Sequence, residues 1–323
     1  MNRDRATLSV VVDTEEEFDW SRPLSRDNTS VTNVVYQDRA HDVFRGFGVV
    51  PTYVVDYPVA NHPEAVTTLA RLAERGEAEI GTHLHPWVNP PHDELVTPFN
   101  SYAGNLPPEL ERAKLETLTD RITTAFGQRP QVYRAGRYGI GPATYSHLRA
   151  LGYTIDTSVV PHTSFTADGG PDFSDADASV RWCGPDAQLL EVPLTTGFCG
   201  VFREAGPRVY PRLASATGMR LHAPGFAARL GLLERIRLTP EGPNATEMKR
   251  ILRTQYAAGQ RHFVLSYHSP SLVPGNTPYV RTARDLDVFL ADMKSVIAFF
   301  TEELGGVPST LTQIHAQLAS DGT

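Results

Sequence analysis

Short apolar runs recur along this 323-residue chain, and most break off at or next to an acid, a histidine or an arginine. Leu8 to Val12 ends at Asp13, Thr14 and three glutamates, Val49 to Val55 at Asp56, and Ala78 to Gly81 at Thr82, His83, Leu84 and His85. Gln131 to Tyr133 leads into Arg134, Tyr153 to Asp156 finishes on its own acid, and His262 to Tyr267 stops at His268. Such runs have the length of buried strands and are far too short to cross a bilayer. Helical patterns lie between them: Pro63 to Glu74 with Leu69 and Leu72 inward, Pro107 to Phe126 opened by two prolines and followed by Gly127, Pro142 to Ala150, Asn244 to Ala258, and about Thr282 to Glu303. Leu189 to Leu194 and Thr310 to Thr312 read as further strands, the latter before a tail helix, with helical pieces near 212 to 218 and 225 to 235. Residues 92 to 106 and the span Thr157 to Asp186 read as loops.

Strand and helix thus alternate about seven times, which predicts a parallel α/β architecture. A barrel is favoured over an open doubly wound sheet, because chemically active side chains gather at strand exits, where barrel active sites assemble. One catalytic domain spanning 1–323, with long loops, is the expected organisation. Neither GxGxxG nor GxxxxGK[ST] occurs, so dinucleotide and P-loop readings lack support. With 41% hydrophobic and 21% charged residues the chain can fill a large core. Its net charge of -7, with no basic stripe in view, disfavours nucleic acid as a partner. The N-terminus lacks a signal-peptide core, so a cytoplasmic protein without a transmembrane segment is expected. Cys183 and Cys199 exclude a disulfide scaffold and read as two thiols, with one bridge left open. Nothing indicates an oligomeric state.

Asp13 and Glu15 are two positions apart, so extended backbone would point both to one side. One can bind a metal while the other takes a proton from attacking water; the plainer alternative is an acidic strand end or helix cap. Glu15, Glu16 and Glu17 cannot all crowd one ion. His83 and His85 share the same spacing and offer two imidazoles to a divalent metal, zinc being the expected one, although either can instead hold a loop by hydrogen bonds. Arg134 suits a carboxylate, with Asp13 as the chosen partner; Arg137 can do the same, contact substrate or pair with Asp156. His268 is placed to protonate a leaving amine or alcohol, with Asp156 as its possible tuning partner. Gly136 and Gly139 mark a turn or a close approach. Trp20, Trp87, Tyr138 and Trp182 are sugar-facing candidates or packing residues.

In order, VVDTEEEFDW, GTHLHPW, YRAGRYG and LSYHS resemble motifs of the polysaccharide deacetylase family, also called the NodB-homology or carbohydrate esterase family 4 group. The resemblance spans most of the chain. It implies a distorted (β/α)7 barrel and hydrolysis of an N-acetyl or O-acetyl group by metal-activated water. Carried over, Asp13 resembles the catalytic base, Glu15 and His83 metal ligands, Arg134 the residue that orients the base, and His268 the general acid.

Three departures mark a divergent subgroup. The family's adjacent acids become Asp13-Thr14-Glu15. Its two metal histidines are normally separated by three residues, whereas here one residue separates His83 from His85, and Trp87 holds the usual second position. Either His85 takes over through a different loop path, or water, Asn89 or a remote side chain completes the site, or the metal has been lost. The arginine segment lacks the common RPP, leaving a backbone N–H near Arg137 or Tyr138 as the candidate oxyanion donor. The expected reaction is metal-dependent deacetylation of a carbohydrate, with Trp20, Trp87, Arg137 and Tyr138 contacting substrate. The alternatives are a hydrolase of another small amide or ester on the same barrel, and a carbohydrate-binding protein without chemistry.

Overall fold

The computed structural model describes residues 5–321. Seven strands run parallel: β1 (Thr7–Thr14), β2 (Thr52–Val55), β3 (Glu79–Leu84), β4 (Val132–Ala135), β5 (Ile155–Asp156), β6 (Leu189–Glu191) and β7 (His262–His268). Their hydrogen-bonded order is β7-β1-β2-β3-β4-β5-β6, every pair parallel. The sheet curls into a distorted barrel that stays open between β6 and β7, as the resemblance implied. Loop segments bridge that seam: Val264 N donates to Thr195 Oγ1 at 2.8 Å, Leu238 N to Thr195 O at 2.8 Å, and Ser266 N to Leu238 O at 3.2 Å. Arg181–Cys183 adds an antiparallel strand beside β6, and Val307–Pro308 pairs with the start of β1.

Alternation sorts the strand side chains into two layers. Val11, Val54, Val132, Ile155, Leu190 and Val264, one from each strand except β3, meet inside the barrel, closed off by Leu311 and Ile314 of the C-terminal helix Leu311–Asp321. At the corresponding place β3 carries Gly81, because a Cβ there would lie 2.9 Å from Val54 Cγ1. The opposite faces, including Leu8, Val10, Val12, Tyr53 and Leu265, pack under the surrounding helices Asp38–Arg45, Pro63–Glu74, Pro108–Phe126, Ala245–Ala257 and Ala283–Ala298. Each fully buried valine or leucine contributes on the order of 1.5–3 kcal/mol. Local chemistry sets the helix ends: Asn244 with Glu247, and Thr282 with Asp285, form capping boxes, and Gly127 closes Pro108–Phe126 in the left-handed conformation.

The chain departs from its sequence reading around the seam. The helix expected over 225 to 235 is Ala223–Arg229 only, and Glu234–Arg237 is a strand, antiparallel to Thr196–Cys199. Between these two arms three short helices, Gly206–Leu213, Ala216–Arg220 and Ala223–Arg229, form a cap. The loop Thr157 to Asp186 contains a small hairpin, Thr163–Ser164 against Asp172–Phe173. Thr310 to Thr312 is no strand: Thr310 Oγ1 accepts from Gln313 N at 3.2 Å, which turns the chain into its last helix. Both cysteines are free thiols. Among the described residues no helix is long and apolar enough to cross a membrane.

Candidate active site

Parallel register brings the chemical groups to one end of the barrel. Asp13 of β1 stands opposite His268 of β7, and His83 of β3 opposite Arg134 of β4. They surround a cavity of roughly 540 Å³ whose lining includes Asp13, Glu15, His83, His85, Trp20, Trp87, Arg137, Tyr138 and His268. Arg134 lies beneath it, fully buried.

Glu15, His83 and His85 offer ligand atoms that all lie within 4.8 Å of one another. His83 Nε2 and His85 Nε2 are each 3.4 Å from Glu15 Oε2. Their other ring nitrogens are engaged: His83 Nδ1–H donates to Arg134 O at 3.0 Å and His85 Nδ1–H to Glu16 Oε2 at 2.7 Å. Those bonds place the lone pairs on the two Nε2 atoms, facing a carboxylate. Glu15 Oε1 is buried without a hydrogen-bond partner. Three acceptors converging with no proton between them form a donor set suited to a divalent cation. Burial holds both imidazoles neutral, His85 down at about 4 and His83 below its ordinary value. Burial also lifts Glu15 to about 7 despite His268 and His83, a cost that a cation would remove.

Asp13 is buried, and desolvation alone would raise its pKa. Arg134, His83 and His268 outweigh that and hold it at about 2. Arg134 Nη1 donates to Asp13 Oδ1 at 2.5 Å, while its Nε and Nη2 donate to Thr157 O and Thr157 Oγ1 at 3.0 and 3.3 Å. The guanidinium is thereby held in a fixed plane, and Asp13 Oδ2 is left 3.7 Å from His268 Nε2. Burial opposes the charge on His268, but Glu241, Glu15 and Asp13 prevail and raise its pKa well above the ordinary value. An ionised acid and a protonated histidine therefore face each other beside the three-ligand cluster, which is the division of states that acid–base chemistry needs.

The loop after β4 fits against this cluster closely. A Cβ on Gly136 would sit 2.3 Å from His85 Cδ2 and 2.5 Å from Leu84 O, so only glycine lets the two strand exits approach. Arg137 and Tyr138 follow with φ of 52° and 61°, a left-handed pair at the cavity wall.

Known structures share this architecture. A candidate polysaccharide deacetylase from Mycobacterium smegmatis superposes over 100% of this chain and 93% of its own, with TM-score 0.58 and 16% identity. The Puue allantoinase matches over 99% and 92%, TM-score 0.56 and 13% identity. A GH57 branching enzyme from Thermococcus kodakaraensis matches over 97% and 71%, TM-score 0.51 and 10% identity. This is the NodB-type polysaccharide deacetylase fold. No protein-family model and no curated protein matches the chain.

On that NodB-type frame the spacing between His83 and His85 is accommodated by His85 itself. Asn89 is turned away, donating to Pro90 O and Lys114 O. Trp87 stacks on the His85 ring at 4.3 Å and donates to Glu16 Oε1 at 2.7 Å, so it braces the histidine. Trp20 is 40% exposed and meets His268 edge-on at 5.4 Å, while Trp182 packs on His315. Asp156 neither tunes His268 nor pairs with Arg137: it accepts from Ser158 Oγ at 2.6 Å, and Ser158 Oγ accepts from Ala135 N. Arg137 pairs with Asp168 at 3.0 Å.

Three side chains at the site were given no part in it by the sequence reading. Glu241 accepts from His268 Nδ1 at 2.7 Å, from His268 N at 3.0 Å and from Ser271 Oγ. Glu16, fully buried, orients both His85 and Trp87. Arg237 lines the cavity with its guanidinium over the Tyr138 ring at 4.7 Å and donates to Tyr138 OH. Glu16 was visible beside Glu15. Glu241 carried one signal, an acid in a Pro-Glu-Gly-Pro turn leaving a strand.

Proposed function

We propose that the protein is a divergent polysaccharide deacetylase, a metal-dependent hydrolase that removes an acetyl group from an N- or O-acetylated carbohydrate. The observation that carries this is the pair Asp13 and His268, held in opposite protonation states beside Glu15, His83 and His85. Those three residues would hold a divalent ion, zinc by the chemistry of two imidazoles and one carboxylate, and such an ion supplies Lewis acidity toward a carbonyl and acidifies water.

The chain's own groups complete the reaction. Asp13 Oδ2, the oxygen that Arg134 leaves free, accepts the proton of the attacking water, and Arg134 keeps that carboxylate aimed. His268 gives its Nε2 proton to the departing nitrogen or oxygen, while Glu241 on Nδ1 fixes the ring and stabilises its charge. The backbone N–H groups of Arg137 and Tyr138 serve the developing oxyanion. Trp20, exposed at the cavity, offers an indole face to a sugar ring. A cavity of roughly 540 Å³ is in the range of single small-ligand sites, so it suits one terminal unit better than a long polymer. The same observation favours a small acylated amide as the second reading.

The test is metal-dependent acetate release across acetylated glycans and smaller amides, with the product identified by mass. Release from an acetylated sugar, lost in Asp13→Asn while metal still binds, supports the assignment. Absence of release from every substrate by folded, metal-loaded protein overturns it.

A further inference from the structure

Among the described residues, seven of the fifteen exposed large apolar side chains lie in one stretch of thirty residues, 201–230: Val201, Phe202, Val209, Met219, Leu221, Phe226 and Leu230. Phe226 is 65% exposed and Leu221 74%. The stretch is the three-helix cap between the arms Thr196–Cys199 and Glu234–Arg237. Its inner side is already satisfied, with Gly206 against Phe198, Tyr210 over Phe198 at 5.4 Å, and Ala227 buried. The outward apolar residues have therefore no place left in the core, and such a concentration marks an interaction surface.

The same stretch carries five exposed arginines, Arg203, Arg208, Arg212, Arg220 and Arg229, against the single acid Glu204. Its charge of +4 leaves -11 on the rest of the chain. Of these five arginines, among the described residues, Arg203 alone has a carboxylate partner, Glu204 at 3.4 Å, and Arg212 Nη1 donates to Arg208 O at 2.8 Å. Exposed aromatic and aliphatic side chains interleaved with arginines in excess over acids are what an anionic lipid surface recognises: the apolar groups enter the acyl boundary while the guanidiniums meet the phosphates. Two copies of this face brought together would set like charges against each other, which disfavours a symmetric dimer here.

We propose that the cap 201–230 docks the protein on an anionic membrane surface. This goes beyond the hydrolase reading and does not depend on it. Flotation of the full-length protein with vesicles tests it, comparing phosphatidylcholine alone with phosphatidylcholine mixed with phosphatidylglycerol. Recruitment is expected to the mixed vesicles only and to fall as salt rises. Each of Arg208→Gln, Arg212→Gln and Arg220→Gln should lower the partition coefficient about fivefold. Leu221→Ser with Phe226→Ser should abolish recruitment while leaving thermal unfolding unchanged, since both side chains are exposed. Failure of folded wild-type protein to float with phosphatidylglycerol vesicles overturns the proposal. So does a dimer in sedimentation equilibrium that the Leu221→Ser, Phe226→Ser variant dissociates, which would make a second copy the occupant.

Discussion

At the scale of single residues, the candidate site depends on groups that touch no substrate. Gly136 admits the His85 ring beside the β4 exit, where a Cβ would meet His85 Cδ2 at 2.3 Å. Gly136→Ala should displace that imidazole and weaken divalent-metal affinity about 10- to 100-fold, the usual cost of disturbing a ligand's support, as read by competition with a chelating dye. Glu241 acts on His268 by charge. Because Glu241 raises the His268 pKa, the acid stays protonated to higher pH, and activity should fall as pH rises through that pKa. Glu241→Gln should move this alkaline limb of the kcat profile to lower pH. An unmoved limb would mean that His268 is not the titrating acid.

Elements show which parts of the molecule a sequence can disclose. The i, i+2 pairs at the ends of β1 and β3 were legible because alternation alone puts Asp13 with Glu15, and His83 with His85, on common sides. The partnership of His268 with Glu241 was not, since they stand 27 positions apart with the helix Ala245–Ala257 between them and no local period connects them. Glu234–Arg237 was misread for a related reason: Glu-Arg-Ile-Arg has helical composition, and only pairing with Thr196–Cys199 makes it a strand. Elsewhere an element interface predicts behaviour. His41 of Asp38–Arg45 stacks on Tyr53 of β2 at 5.8 Å, its Nε2 buried without a partner. Burial depresses its pKa to about 4, so the folded state binds fewer protons than the unfolded chain. Its contribution is complete above the unfolded value near 6.5 and is lost as pH falls toward 4. His41→Phe should therefore flatten the acid side of the stability curve by about one proton, roughly 1.4 kcal/mol per pH unit, in urea titrations at stepped pH.

For the whole molecule, the three-ligand cluster ties the exit of β1 to that of β3 across β2. A divalent ion bound there binds only the folded chain, so saturation to about 100 times Kd should stabilise by about 2.7 kcal/mol. A chelator should lower Tm accordingly, and a Glu15→Gln, His83→Ala variant should be indifferent to it. The open seam between β6 and β7 has a different consequence. Every candidate ligand, base and acid sits on the continuous arc from β7 through β3, whereas Arg237 and the cap come from chain inserted across the gap. The candidate catalytic groups and the proposed docking cap thus lie on separable pieces of polypeptide. Exchanging residues 200–232 for another insert would re-address the enzyme without rewriting its chemistry, and Glu241, reaching from the inserted side to His268, is the joint that such an exchange must spare.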